Sequence, residues 1–173
     1  PPFIGSKYQT TEQRAEVRDV WGDLRGVGTL DYVSAWYAKA TDYMHAHGQA
    51  SFVSTNSITQ GEQVGVIWPE LFKRGIKITH GHRTFPWTSE ARGKAHVHVV
   101  IVGFSESEAQ NDKRIHDYGS KGEVLGVATV ANISPYLTDG PDCAATNRGK
   151  PLAEVPEIGI GNKPIDGGYY LFE

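Results

Sequence analysis

Apolar positions recur at helical spacing early in the chain and give way to extended runs further on. Thr10 and Gln13 sit three apart in a capping-box pattern, which predicts a helix from Thr11 to about Asp23. Gly22, Gly26 and Gly28 end it and form a loop. Val33, Trp36, Tyr37, Ala40, Tyr43 and Met44 fall on one face of a second helix, over Leu30 to Ala46, with Gly48 beyond its end. Ala50 to Ser54 reads as a buried strand. Ser57 and Gln60 repeat the capping-box spacing and open a third helix, bent at Pro69 and stopped by Gly75 after Arg74. Ile76 to His80 is a short strand and His96 to Phe104 a long apolar one. Between them, Gly81 to Ala95 is too long for a tight hairpin and carries Phe85-Pro86-Trp87, so it is a candidate functional loop.

This succession predicts the second half of an α/β sheet with helices on its faces. Its last two strands, joined without a helix, form an antiparallel pair at one edge of an otherwise parallel sheet. After Ser105 the chain turns polar as far as Glu123. Val124 to Ile133 returns as an extended segment, and Pro135 to Gly168 is rich in Pro, Gly, Asp and Asn. The expected division is 1–105 as one unit and 106–173 as a linker and the start of a second module.

The 173 residues are enough for a substantial core. No apolar run approaches the roughly 18 residues of a membrane span, so no membrane partner is expected. Cys143 is the one cysteine, which excludes an internal disulfide framework and fits a reducing compartment. The formal charge of −3 does not announce a nucleic-acid binder, but its distribution is uneven. Between residues 73 and 94, Lys73, Arg74, Lys77, Arg83, Arg92 and Lys94 stand against Glu90 alone. Such a strip could meet a phosphate backbone, or be a solvated face balanced by acids elsewhere.

Four histidines, His80, His82, His96 and His98, lie at strand spacing and could converge on zinc if the strands pair in register. No cysteine is near them, and no metal is assigned. His45 and His47 suit a helix C-terminus electrostatically. Gly26-Val27-Gly28 lacks the preceding strand that a nucleotide-binding glycine loop requires.

The order of four passages carries more information than any one motif. They are Pro1-Pro2-Phe3-Ile4-Gly5-Ser6-Lys7; Ser51 through Gly61; His82 through Phe104; and Ile133-Ser134-Pro135-Tyr136-Leu137 with Gly161-Asn162-Lys163-Pro164-Ile165-Asp166-Gly167-Gly168. Together they resemble the MmeI-like bifunctional restriction-modification enzymes. These join an endonuclease, a gamma-class N6-adenine DNA methyltransferase and a target-recognition domain. The resemblance implies the C-terminal half of a Rossmann-like methyltransferase sheet, followed by an irregular β-rich segment. It implies a prokaryotic, cytoplasmic protein acting on double-stranded DNA with S-adenosylmethionine.

In the family an Asn-Pro-Pro-Phe motif binds the target amine. The carbonyl of the first Pro and the Asn oxygen hold its hydrogens, and the aromatic stacks on the base. Pro1, Pro2 and Phe3 match all but the Asn. A start at Pro-Pro-Phe without methionine is accordingly read as an interior point of a longer polypeptide. The main cofactor loop is expected upstream, and the fragment alone is expected to be inactive. A flipped base needs a second stacking ring. Phe85 occupies the matching position, with Trp87 as its neighbour and competitor; both could instead be plugs at the sheet edge. Thr55, Asn56 and Ser57 follow a strand's C-terminal end, where ligands bind in open α/β sheets, and form the expected active-site rim. Trp36 matches a position near the cofactor's adenine, although its helical spacing favours core packing. The alternative function is a non-catalytic DNA-binding module using the basic stretch and the aromatic loop. An incomplete sheet would also leave an open edge through which the fragment could self-associate.

Overall fold

The computed structural model describes residues 1–44, 48–87, 97–106, 112–150 and 152–155. Arg92, Lys94, His96, the pair His45 and His47, and the Gly161–Gly168 stretch lie outside them. The described residues form three helices, α1 (Thr11–Trp21), α2 (Ser34–Tyr43) and α3 (Val64–Lys73). They also form five strands, β1 (Gln49–Thr55), β2 (Lys77–Trp87), β3 (Val97–Ser105), β4 (Lys113–Tyr118) and β5 (Val124–Val130).

The capping box at α1 is present in full. The Thr10 hydroxyl accepts from the Gln13 backbone, and the Gln13 side chain accepts from the Thr10 N–H. Gly75, at φ +81°, ends α3 in the left-handed region that favours glycine. The third helix begins later than its sequence pattern suggests. Single 3₁₀ turns at Asn56–Ile58 and Gly61–Gln63 precede it, and Ser57 does not cap it. Gly61, at φ +68°, interrupts the run before α3, and the Ser57 hydroxyl donates to the Asp31 carboxylate.

The sheet order is β1-β3-β2-β4-β5. β3 runs antiparallel to both β1 and β2, β4 runs parallel to β2, and β5 closes antiparallel on β4. The antiparallel β2–β3 pair was expected; the position of β3, inserted between β1 and β2, was not. β2 is also longer than expected. Phe85, Pro86 and Trp87 continue it, opposite Val99, His98 and Val97, rather than forming a loop. Past His82 the strand has β3 on one side and no β4 pairing on the other, which is where a residue without an N–H is tolerated. Register shifts at Ile78/His80 and His82/Phe85 mark two irregularities along β2.

One face of the sheet carries the core. Phe104, Val102 and Val100 on β3 join Ile78 on β2 and the helical residues Tyr37, Trp68, Leu71 and Ile67. Tyr37 is fully buried among Phe52, Phe104 and Trp68, with ring centroids 5.3, 5.1 and 6.1 Å away. Its hydroxyl lies 2.8 Å from Ser54 Oγ, which satisfies the polar tip that burial would otherwise strand. Residues past 105 continue this assembly: β4 and β5 extend the sheet, and Ile133 and Leu137 are buried in the same core.

Candidate functional site

The C-terminal end of β1 and the far half of β2 meet at one end of the sheet. Thr55 pairs with Val99, and Val99 pairs on its other side with Phe85. Antiparallel pairing through β3 therefore sets the expected rim and the expected stacking ring level with each other. They are two strand spacings apart, about 10 Å between backbones.

The rim is organised by a residue the sequence did not single out. Asp31 is buried, 7% exposed, just before α2. Thr55 Oγ1 donates to its Oδ2 at 2.7 Å and Ser57 Oγ at 2.5 Å. The Asp31 N–H donates to Gln63 Oε1 at 3.0 Å. Its other oxygen faces the N-terminal segment: a Cβ on Gly5 would lie 3.5 Å from Oδ1. Asn56 contributes its backbone carbonyl, which accepts from the N–H and hydroxyl of Thr59.

The segment bearing Pro1, Pro2 and Phe3 is anchored at the next residue. The Ile4 carbonyl accepts from the Tyr32 N–H at 2.9 Å and from Gln9 Nε2 at 3.2 Å. Gln9, itself buried, also donates to the Leu30 carbonyl. Pro1 and Pro2 are exposed and Phe3 is half-buried. One backbone bond thus ties this segment to Tyr32, the residue after the carboxylate that holds the rim.

Phe85 is half-buried and rests on Tyr118, ring centroids 4.7 Å apart at 30°. Trp87, 39% exposed, lies 6.5 Å away. Beside them Thr59, Gln60, Arg83, Thr84, Asp117, Tyr118, Tyr136 and Leu137 line an open cavity of about 440 Å³. Gln60 Nε2 donates to Thr84 Oγ1 across it.

The four described basic residues of this stretch do not form one strip. Lys73 and Arg74 end α3, and Lys77 begins β2 level with Gln49. That is the opposite end of the sheet from Phe85, roughly 20–25 Å along the strand. A helix–turn–strand path carries consecutive charges away from one another. Each is also paired: Lys73 with Glu70, Arg74 with Asp42, Lys77 with Asp142 and Arg83 with Asp117. Of these four, Arg83 lies nearest the rim, and its Nε also donates to the Leu137 carbonyl.

Trp36 is half-buried on α2, edge-on to Tyr32 at 5.2 Å. Gly26 packs against α3, where a Cβ would come within 2.8 Å of Val66. The register separates the described histidines of that set, because His98 faces Pro86 while His80 and His82 face Gly103 and Ile101. Instead His82 stacks on His116 of β4, 4.2 Å apart at 5°. Burial and the neighbouring His116 and His80 push the His82 imidazole down to about 4.

A family model described as the MmeI DNA-methyltransferase domain matches residues 1–117. This chain belongs to that family. The MmeI-family chain superposes on the Type IIL restriction-modification enzyme MmeI, solved in complex with DNA, with a TM-score of 0.90 and 48% identity. The match covers 97% of this chain and 23% of that one. DNA methyltransferase A of Bacillus subtilis (strain 168) is 40% identical over 173 residues, 99% of this chain and 19% of the relative. The chain thus spans about a fifth of the length of these two relatives. Over residues 1–117 it carries part of a DNA-methyltransferase domain, and its mixed sheet is part of the fold that MmeI shares. No helix among the described residues is long and apolar enough to cross a membrane.

Proposed function

We propose that this chain carries the base-binding half of a catalytic domain that transfers a methyl group from S-adenosylmethionine to N6 of adenine in double-stranded DNA. The protein it serves is a prokaryotic, cytoplasmic restriction-modification enzyme. The observation behind this reading is the Thr55–Val99–Phe85 row, with Asp31 joining Thr55 and Ser57 at the foot of the Pro1–Phe3 segment. Residues 1–105 are the C-terminal half of the methyltransferase domain, and 106–173 lead into the target-recognition domain. β4 and β5 of the second stretch are hydrogen-bonded into the first unit's sheet.

The chemistry follows from the base. An exocyclic adenine amine is a poor nucleophile because its lone pair is delocalised into the ring. The Pro1 carbonyl accepts one amine hydrogen; in the family motif an Asn side chain accepts the other. Two such acceptors draw the nitrogen toward tetrahedral geometry. The base reaches them by leaving the duplex, which costs a few kcal/mol of unstacking. Stacking on Phe3 and Phe85, at about 1–3 kcal/mol per ring, offsets that cost. S-adenosylmethionine supplies the electrophilic methyl group when bound. Among the described residues the candidate for its adenine is the half-buried indole of Trp36, while Gly26 packs on Val66. The isolated chain is accordingly inactive, and its outer strand β5, with Val124, Leu125 and Val127 exposed, favours self-association.

The test is product analysis. The full-length protein, given duplex DNA and labelled S-adenosylmethionine, yields N6-methyladenine by mass spectrometry of the hydrolysed DNA. A methylated cytosine as the product sinks the adenine reading. Tight binding of S-adenosylmethionine by the 173 residues alone sinks the division of the two pockets.

A further inference from the structure

Resting on that reading of Phe85, we propose that Tyr118 is the positioning residue that holds the Phe85 ring ready for the base, as one member of a four-ring column His116–His82–Tyr118–Phe85.

Phe85 needs such a support. The β2–β4 pairing ends at His82↔His116, so the backbone at Phe85 has a strand neighbour on the β3 side alone. It also follows a register shift, where the ladder is locally interrupted. The Tyr118 ring fills the side that β4 leaves open, 4.7 Å from Phe85. Tyr118 is in turn fixed at its other end. Its hydroxyl lies 2.6 Å from His82 Nδ1, and their ring centroids are 5.8 Å apart. His82 is backed by the parallel His116 ring at 4.2 Å. Parallel pairing of β2 with β4 sets those two histidines side by side, and the column follows from it.

The chemistry of the hydroxyl bond is directional. A neutral His82 with its proton on Nε2 presents Nδ1 as an acceptor, and the Tyr118 O–H donates. Burial keeps the imidazole neutral at neutral pH, as that arrangement requires. A phenol tethered at its tip cannot rotate freely about its side-chain torsions. The Phe85 plane leaning on it is therefore set before the base arrives, and a pre-set contact saves the ordering that a free ring would need.

The experiment compares three variants of the full-length protein: F85A, Y118L and Y118F. Methyl transfer to duplex DNA gives kcat and KM, DNA affinity is measured separately, and thermal melting monitors folding. 2-Aminopurine at the target position reports the environment of the flipped base. A positioning role predicts that Y118L lowers kcat about 10-fold, with DNA affinity and melting temperature nearly unchanged. Y118F keeps the ring but loses the tether and falls between Y118L and the wild type. The 2-aminopurine signal of Y118L shifts toward that of F85A. If F85A abolishes transfer while Y118L and Y118F stay within about 2-fold of wild type, the positioning role is overturned and base stacking survives. A loss in Y118L matched by equal losses in melting temperature and DNA affinity makes the column merely structural, and also overturns it. If F85A itself retains full kcat, the stacking reading fails first and Tyr118 has nothing to position.

Discussion

Thr55 and Phe85 are partners of the same residue, Val99, on opposite sides of β3. Thirty residues apart in sequence, they share one level of the sheet at the end where the Pro1–Phe3 segment is anchored. Removing the ring at that level while leaving the rim intact separates catalysis from binding. F85A in the full-length protein should lower methyl transfer about 10- to 100-fold, the worth of one stacking contact, and F85W should retain more activity than F85A. DNA affinity, measured by titration at fixed salt, should change little. A fall in affinity as large as the fall in transfer would point to a plain binding role.

Asp31 is the shared acceptor of two hydroxyls, so T55A and S57A should not act independently. Each single change should cost about 0.5–1.5 kcal/mol in urea unfolding. D31A removes the acceptor that both hydroxyls share, leaving them each other at 2.8 Å, and should cost more, about 1–3 kcal/mol. The T55A/S57A pair should deviate from additivity by at least 0.5 kcal/mol or so. Strict additivity would show that the carboxylate does not couple them.

Acidification should weaken the fold through His82. Its folded value, about 4, lies below the ordinary 6.5, so the unfolded chain binds more protons between those two pH values. Its contribution is fully present above about pH 6.5 and is lost as the pH falls toward 4. His80, also lowered by burial and by His116, acts in the same direction. Urea midpoints at pH 7.5, 6 and 5 should decline for the wild type and decline less for H82N. Parallel declines would remove His82 from the account, whatever the carboxylates contribute at the acid end.

Two glycines of adjacent strands should respond unequally to a methyl group. At Gly103 a Cβ would overlap the His80 ring, 2.0 Å from Cε1, forcing the imidazole off Ser51 Oγ. At Gly81 the obstacle is the terminal methyl of Leu137, at 2.8 Å. G103A should therefore destabilise by about 1–3 kcal/mol and G81A by less, as measured by denaturant titration. The reverse order would contradict the packing.

Charge removal at Lys73, Arg74 and Lys77 should leave DNA affinity and its salt dependence nearly unchanged. All three lie at the far end of the sheet, and each is paired with an acid. A triple glutamine variant whose log–log salt slope falls by two or more would place them on the phosphate backbone after all.

Much of the fold was legible where the deciding contacts are local. Thr10 and Gln13 satisfy each other across one turn, so α1 could be read from spacing alone. Ser57 and Gln60 carry the same spacing without capping α3, because Gly61 turns into the left-handed region directly after them, and Ser57 donates to Asp31, twenty-six positions away in sequence. β4 escaped notice because its Lys113-Arg114-Ile115-His116-Asp117-Tyr118 run has one aliphatic residue. Lys113 is nevertheless buried, its ammonium donating to Asn132 Oδ1. Within the site, Phe85 and Thr55 to Ser57 could be named from motif and position. Asp31, Tyr118 and the His82–His116 stack could not, since Asp31 gains its role from long-range hydrogen bonds to Thr55 and Ser57 and the rings gain theirs from strand pairing.

The irregularity between His82 and Phe85 has a consequence for how this end of the protein can vary. Three steps along β2 match two along β3 there, so odd and even positions exchange faces. With regular pairing, Thr84 would stand opposite Val99 and the phenylalanine would turn toward the helices. Loss of the irregularity at constant chain length would therefore turn the aromatic ring to the other surface, whereas deleting one residue at 83 or 84 would make the pairing regular and leave the ring opposite Val99. The extra residue and the irregularity that absorbs it act as a pair, and the surface that bears the ring changes when one is lost without the other.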